Sequence, residues 1–230
     1  MTVDIFIRTY KNDLQWLAHC LSSIHKHLRG FRKIIISIPK DQVHLLIPFN
    51  LTQEIVISEE LFDDDYLGQQ ISKIFAFEHS DADFIMFLDS DCVIKHPCNV
   101  NDFFSDGKPI LLKTKYEKVG DAICWKEITE KFVGFKVDFE YMRRLPIVYH
   151  RNSLVGLVDM FPNIKKYILN CDHRSFSEFN AIGAYIENFE SERYEIVDTD
   201  DEIPYSPVRQ FWSWGGITAE VKQEIEQYLK

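Results

Sequence analysis

Cysteine is scarce and scattered in this chain: Cys20, Cys92, Cys98, Cys124 and Cys171 are odd in number, and no two are spaced as CxxC. That argues against a disulfide framework and against the common zinc spacings, and a reducing, cytoplasmic setting is expected. Positive charge is short as well. Asp and Glu number 36 against 26 Lys and Arg, for a formal net charge of −10, which disfavours nucleic acid or an anionic membrane as main partner. No apolar run approaches the roughly 20 residues that span a bilayer, so no transmembrane segment is expected. The opening MTVDIFIRTY reads as a strand rather than a basic-then-apolar secretory signal. Only nine glycines are present, and none builds a phosphate-cradling loop after that first strand, which removes the main support for a nucleotidyltransferase. No repeat, low-complexity segment or flexible linker breaks the chain, so residues 1–230 are expected to form one domain with a sizeable core.

What is present is an alternation. Short β-rich runs fall at Val3–Arg8, Lys33–Ile38, Glu54–Ile57 and Phe84–Leu88. Between them lie helical patterns: one capped at Asn12 or Asp13 and running to about Leu28, with Leu14, Leu17, Leu21 and Ile24 on one face, and one over Tyr66–Glu78, with Leu67, Ile71, Ile74 and Phe77 on one stripe. This order predicts an α/β fold, a mostly parallel sheet flanked by helices. After Asp91 the pattern changes. Short strands are expected at Ile110–Lys113 and Phe132–Phe139, with a short segment around Ala122–Thr129 between them. Helices are expected at Asn152–Asn170 and Ser177–Glu190, a late strand at Arg193–Val197 and a terminal helix at Ala219–Leu229.

The run "FIMFLDSDCVIKHP", Phe84 to Pro97, places two aspartates at the exit of an apolar strand. DxD alone discriminates nothing here, because the same spacing occurs at Asp63–Asp65, Asp81–Asp83 and Asp198–Asp200. Only Asp89 and Asp91 directly follow a predicted buried strand. Ligands of open α/β sheets bind outside the carboxyl ends of the strands, and two carboxylates there suit an octahedral Mg²⁺ or Mn²⁺ that keeps positions for water and phosphate oxygens. The alternative is a solvated turn. Arg8, Thr9 and Tyr10 end the first strand at the same sheet edge. Gln70 and Lys73 share a face of the helix before the DxD strand, where the plain alternative is a solvated helix surface.

The stretch "YLGQQISKIFAFEHSDADFIMFLDSDCVIKHP", after a strand that ends in polar residues, resembles the nucleotide-sugar half of GT-A glycosyltransferases. It is similar to bacterial and viral glycosyltransferase-like proteins that carry a QQ..K helix before LDSD, a group near which the chlorovirus capsid-glycan transferases fall. The resemblance covers residues 1–100 well, is thin from 100 to 145, and returns at "LPIVYHRNSLVGLVD" and "SFSEFNAIGAYI". It implies a GT-A, Rossmann-like fold, with 1–100 as the nucleotide-sugar half and 101–230 as the acceptor half. It also implies a nucleoside diphosphate-sugar donor, UDP-linked by family habit, and a glycan or other hydroxyl acceptor. Asp91 would hold the metal, and Asp89 would complete its shell or touch the ribose. Arg8, Thr9 and Tyr10 would line the nucleoside pocket, closed by Gln70 and Lys73.

An inverting transfer needs a carboxylate to take the acceptor's proton. Glu178, in the first turn of a helix capped by Ser175 or Ser177, is the first candidate and Asp172 the second; the plain reading of Glu178 is complementation of the helix dipole. The family's late metal-binding histidine is missing, since no histidine follows His173, which leaves His150, His173 or water as third ligand. In "SPVRQFWSWGGIT", Arg209 is a candidate for phosphate and Trp212 or Trp214 for a sugar face, against simple aromatic packing. His150 and Arg151 are candidate sugar contacts. Two rival readings remain: a haloacid-dehalogenase-like phosphatase with Asp89 as nucleophile and "DTDDE" as a second acidic motif, and a catalytically silent nucleotide-sugar-binding domain.

Overall fold

A computed structural model describes residues 1–230 apart from 121, 143–144 and 200–205. The four early apolar runs are strands β1 (Val3–Arg8), β2 (Ile34–Pro39), β3 (Glu54–Glu59) and β4 (Phe84–Asp89). They hydrogen-bond in the order β3-β2-β1-β4, all parallel. Every residue of β1 and β2 is buried, as expected for strands covered on both faces. The covering layers are α1 (Leu14–His27) and α2 (Asp65–Ile74). Their buried stripes carry Leu17, Leu21 and Ile24, and Leu67, Ile71 and Ile74, at helical spacing. The Asp64 carboxylate caps α2 by accepting the N–H groups of Tyr66 at 2.9 Å and Leu67 at 3.3 Å.

Beyond β4 the chain forms a short ribbon strand, β5 (Cys92–Ile94), and the long strand β6 (Lys108–Lys115), followed by α3 (Lys126–Val133) and β7 (Phe139–Glu140). Next come β8 (Ile147–His150), α4 (Arg151–Met160), α5 (Ile164–Leu169), α6 (Glu178–Phe189), β9 (Glu195–Asp198), β10 (Val208–Gln210) and α7 (Ala219–Tyr228). Strand β8 adds antiparallel to β4 and makes the first sheet mixed. A second sheet has the order β7-β6-β9, and β10 pairs antiparallel with β5. The chain is thus a single-domain α/β protein with mixed sheets. Among the described residues no helix is long and apolar enough to cross a membrane.

Three expectations change. Phe132 and Val133 do not begin a strand but close helix α3, where Thr129, Phe132 and Val133 form the buried face. The helix ends at Gly134, whose φ of +80° favours glycine, and of the expected strand only Phe139 pairs, in β7 with Glu140 after it. The helix expected over Asn152–Asn170 is two, α4 and α5, parted before Pro162, which restricts Phe161 and lacks an N–H for the ladder. His150 and Arg151 lie at the wrong end of the sheet to meet a sugar. Because β8 runs antiparallel, His150 stands opposite Phe84, at the start of β4 and away from Asp89. His150 packs on the Phe84 ring at 4.3 Å, and Arg151 donates to the carbonyls of Phe77 and Ser80 at 3.1 and 2.6 Å.

Helix α6 packs closely on the side chain of Tyr141, just after β7, through Gly183. A Cβ there would fall 2.2 Å from Tyr141 Cγ. Tyr141 is held at both ends, its N–H donating to Asn180 Oδ1 at 2.8 Å and its hydroxyl to Glu187. Gly183→Ala is therefore expected to cost about 2–3 kcal/mol through overpacking and to lower the melting temperature by roughly 5–10 °C. An unchanged melting curve would show that Tyr141 can give way.

Candidate functional site

The strand order reverses between β1 and β4, and that switch point is where an open α/β sheet leaves a crevice at its carboxyl edge. Arg8 and Asp89 are register partners across it. The geometry separates the four DxD pairs. Asp81 pairs with Arg32, Asp83 accepts from Thr2, and Asp65 pairs with Arg8. The pair Asp198–Asp200, like most of "DTDDE", lies in part outside the described residues. Among the described residues, only Asp89 and Asp91 of these pairs stand directly at the end of β4, at the switch point.

Asp91 is 7% exposed. Its Oδ2 accepts the Ser213 N–H at 2.8 Å, and its Oδ1 lies 3.4 Å from Gln210 Nε2, which is also 3.4 Å from Asp89 Oδ2. Burial, then the charge of Asp89, pushes the Asp91 carboxyl up to about 7, with Asp13 adding to the effect. Asp13 comes from the turn after β1, accepts from Ser90 Oγ at 3.3 Å, and is itself shifted upward by burial.

On the other side of Asp89 lies Lys73, 3% exposed. Its Nζ is 2.7 Å from Asp89 Oδ1 and 2.9 Å from Glu178 Oε1, and it sits over the Phe179 ring. Burial works to lower the ammonium pKa, but the two carboxylates prevail and hold it charged. Burial raises the Glu178 carboxyl against the pull of Lys73. Gln70 fixes the start of α6 by accepting the Glu178 N–H at 2.9 Å, while Ser177 caps the helix through the Asn180 N–H. Gln70 is therefore a positioning residue for Glu178, and its carbonyl is not turned to a base.

Asp89, Lys73, Glu178, Gln70 and Gln210 line one cleft of about 260 Å³, together with Tyr66, Gln69, Trp125, Arg174, Phe179, Trp212 and Trp214; Asp91 and Asp13 are not among its lining residues. Trp212 is 48% and Trp214 81% exposed at the rim. Four non-glycine residues in the described chain have φ in the left-handed region, and two of them, Arg174 at 63° and Trp212 at 59°, line this cleft. Such backbone strain collects where structure over-determines a functional arrangement.

Other candidates fall elsewhere. Arg8 is buried between Glu59 at 3.2 Å and Asp65 at 2.9 Å, so its guanidinium braces the sheet edge. Thr9 is buried beside it with an unpartnered hydroxyl, and Tyr10 is half-buried; neither lines the cleft. Arg209 alternates outward on β10, pairs with Glu224 at 3.2 Å, lies over Phe211 and does not line the cleft. Its neighbour Gln210 points inward instead. Asp172 lies on an exposed turn outside the cleft. His173 is exposed and paired with Asp64 at 2.8 Å, so neither it nor His150 adjoins Asp89 and Asp91.

Among the described residues no group of three or more His, Cys, Asp or Glu side chains is gathered for a metal. Asp89 and Asp91 nevertheless fit a hard divalent cation. Both reach the Gln210 amide at 3.4 Å, so their oxygens converge, and the burial of Asp91 beside the charge of Asp89 leaves a carboxylate pair that a cation would offset. Water and substrate oxygens would complete the shell. No protein-family model matches the chain, and no curated protein matches it.

Proposed function

We propose that this chain is a divalent-metal-dependent glycosyltransferase of GT-A type, moving a sugar from a nucleoside diphosphate donor to an acceptor hydroxyl. The observation that carries the reading is the bridge Asp89–Lys73–Glu178 across one cleft. A strand-end carboxylate at a topological switch point and a buried helix-start carboxylate share a single ammonium. Uridine as the base comes from the sequence resemblance. Mn²⁺ or Mg²⁺ on Asp89 and Asp91 would act as a Lewis acid, neutralising the departing diphosphate.

The protein's own groups supply the remainder. Glu178 takes the acceptor hydroxyl proton as that oxygen bonds to the anomeric carbon, and the bond from that carbon to the β-phosphate oxygen breaks. The electron pair leaves with the nucleoside diphosphate. Attack from the Glu178 side, opposite the leaving group, gives inversion. The raised carboxyl pKa suits a base working near neutral pH. Lys73 keeps Glu178 ionised and anchored, and the tryptophans of the rim screen the reacting atoms from water.

Release of UDP from a panel of UDP-sugars with Mn²⁺ tests the reading. Wild type is expected to turn over at least one donor, and Glu178→Gln to lose about 10²–10⁴-fold in rate while still binding UDP. Equal rates in both proteins would remove Glu178 from the chemistry. UDP binding without turnover in wild type would favour a silent binding domain, and hydrolysis of simple phosphate monoesters a phosphatase.

A further inference from the structure

Arg174 stands apart from the other described arginines. Each of those donates to a carboxylate or a backbone carbonyl: Arg8 to Glu59 and Asp65, Arg32 to Asp4, Arg193 to Glu190, Arg209 to Glu224, and Arg29 and Arg151 to main-chain oxygens. Among the described residues no carboxylate lies within ion-pair distance of Arg174. Its guanidinium instead lies 5.9 Å from the centre of the Tyr66 ring, at the cleft wall. Asp64 is engaged by His173 at 2.8 Å and by the N-terminus of α2. Arg174 is exposed where it lines the cleft, so its guanidinium is open to a ligand.

It is also held in place. The Arg174 backbone adopts φ 63°, a conformation uncommon for a side-chain-bearing residue, and its carbonyl accepts from Trp125 Nε1 at 3.0 Å. That bond ties the Trp125 indole to the Arg174 main chain, and both residues line the cleft. Asp89, Gln210 and Trp212 line the same cleft, and Lys73 joins Asp89 to Glu178. If the donor diphosphate lies at Asp89 and Asp91, Arg174, Trp125 and Tyr66 are the lining groups left to meet what approaches Glu178.

We infer that Arg174, Trp125 and Tyr66 form an acceptor subsite selective for an acidic sugar, its carboxylate or phosphate received by the guanidinium fork and its ring by the indole. This inference rests on the transferase reading for the position of the donor. Planar bidentate recognition of oxyanions is the chemistry for which arginine is suited, and an indole supplies flat apolar area for a sugar face.

The test is competition by saturation-transfer NMR on protein saturated with UDP and Mn²⁺, using methyl glucuronide, glucose 6-phosphate and methyl glucoside as probes. Wild type is expected to bind one or both acidic probes at least tenfold more tightly than the neutral one, and the better probe tells carboxylate from phosphate. Arg174→Ala should erase that preference, Arg174→Lys should keep only part of it, and Trp125→Ala should weaken all three probes together. UDP affinity, measured separately, should be the same in Arg174→Ala as in wild type. No preference in wild type, or a preference that survives Arg174→Ala, overturns the inference. A parallel loss of UDP affinity in Arg174→Ala also overturns it, moving Arg174 to the donor. If wild type fails to bind UDP yet prefers acidic sugars through Arg174, the anion subsite stands and the nucleotide-sugar reading fails.

Discussion

In the presence of a chelator at pH 8, Asp91→Asn is expected to melt above wild type. Burial, together with the charges of Asp89 and Asp13, raises the Asp91 carboxyl to about 7 in the folded protein, against about 3.9 in an unfolded chain. An acid with a raised folded pKa binds its proton more tightly when folded. Stability therefore falls as pH rises from near 4 to near 7, and the whole penalty stands above that range. Removing the charge should recover on the order of 2–4 kcal/mol at pH 8, or roughly 5–10 °C, and almost nothing at pH 4. The amide oxygen can still accept the Ser213 N–H, and Gln210 can present its own oxygen to the new donor. Adding Mn²⁺ should reverse the order by stabilising wild type alone. A variant that melts lower than wild type at pH 8 in chelator would show that Asp91 is a structural cap for the Ser213 turn.

Lys73→Met should be the most destabilising change in the cleft. Lys73 is the cation within ion-pair distance of both Asp89 and Glu178. Its loss strands a buried carboxylate, a situation that costs about 3–5 kcal/mol. Because the stranded Glu178 can take up a proton, the loss should be larger at pH 8 than at pH 5. The double variant Lys73→Met/Glu178→Gln removes one of the two stranded charges and should recover more than half of the lost stability. Chemical denaturation of the two variants at both pH values measures this. If the single variant stays within about 1 kcal/mol of wild type, where ordinary surface substitutions fall, the ammonium does not bridge Asp89 and Glu178.

The parallel half was legible because its strands are short apolar runs and its helices repeat their apolar residues at helical spacing; the Asp64 cap of α2 was not read from the sequence. The same periodicity was present in α3 through Thr129, Phe132 and Val133, but Phe132 and Val133 are also β-forming residues, and the tertiary setting decided between the two. In the site, Asp89, Asp91, Lys73 and Glu178 could be proposed from position on predicted elements. That Lys73 joins two of them could not, since residues 73, 89 and 178 meet only through the sheet order. Gln210 was missed for a related reason. Which of Arg209 and Gln210 faces the DxD depends on the pairing of β10 with β5, and a three-residue strand leaves no alternation long enough to read. Asp13 is a helix-flanking acid by sequence, and only its contact with Ser90 brings it to the acidic cluster. Arg8 was misassigned to a ligand because its partners Glu59 and Asp65 come from a neighbouring strand and helix.

The central claim is that Asp89 and Asp91 leave their strand to hold a cation for a nucleoside diphosphate. Calorimetric titration of UDP into wild type and Asp91→Asn, each with and without Mn²⁺, tests it most directly. Binding to wild type that requires Mn²⁺ and falls at least 100-fold in Asp91→Asn is the predicted result. Binding of UDP that is indifferent to both the metal and the substitution, or no binding of UDP under any of the four conditions, would contradict it.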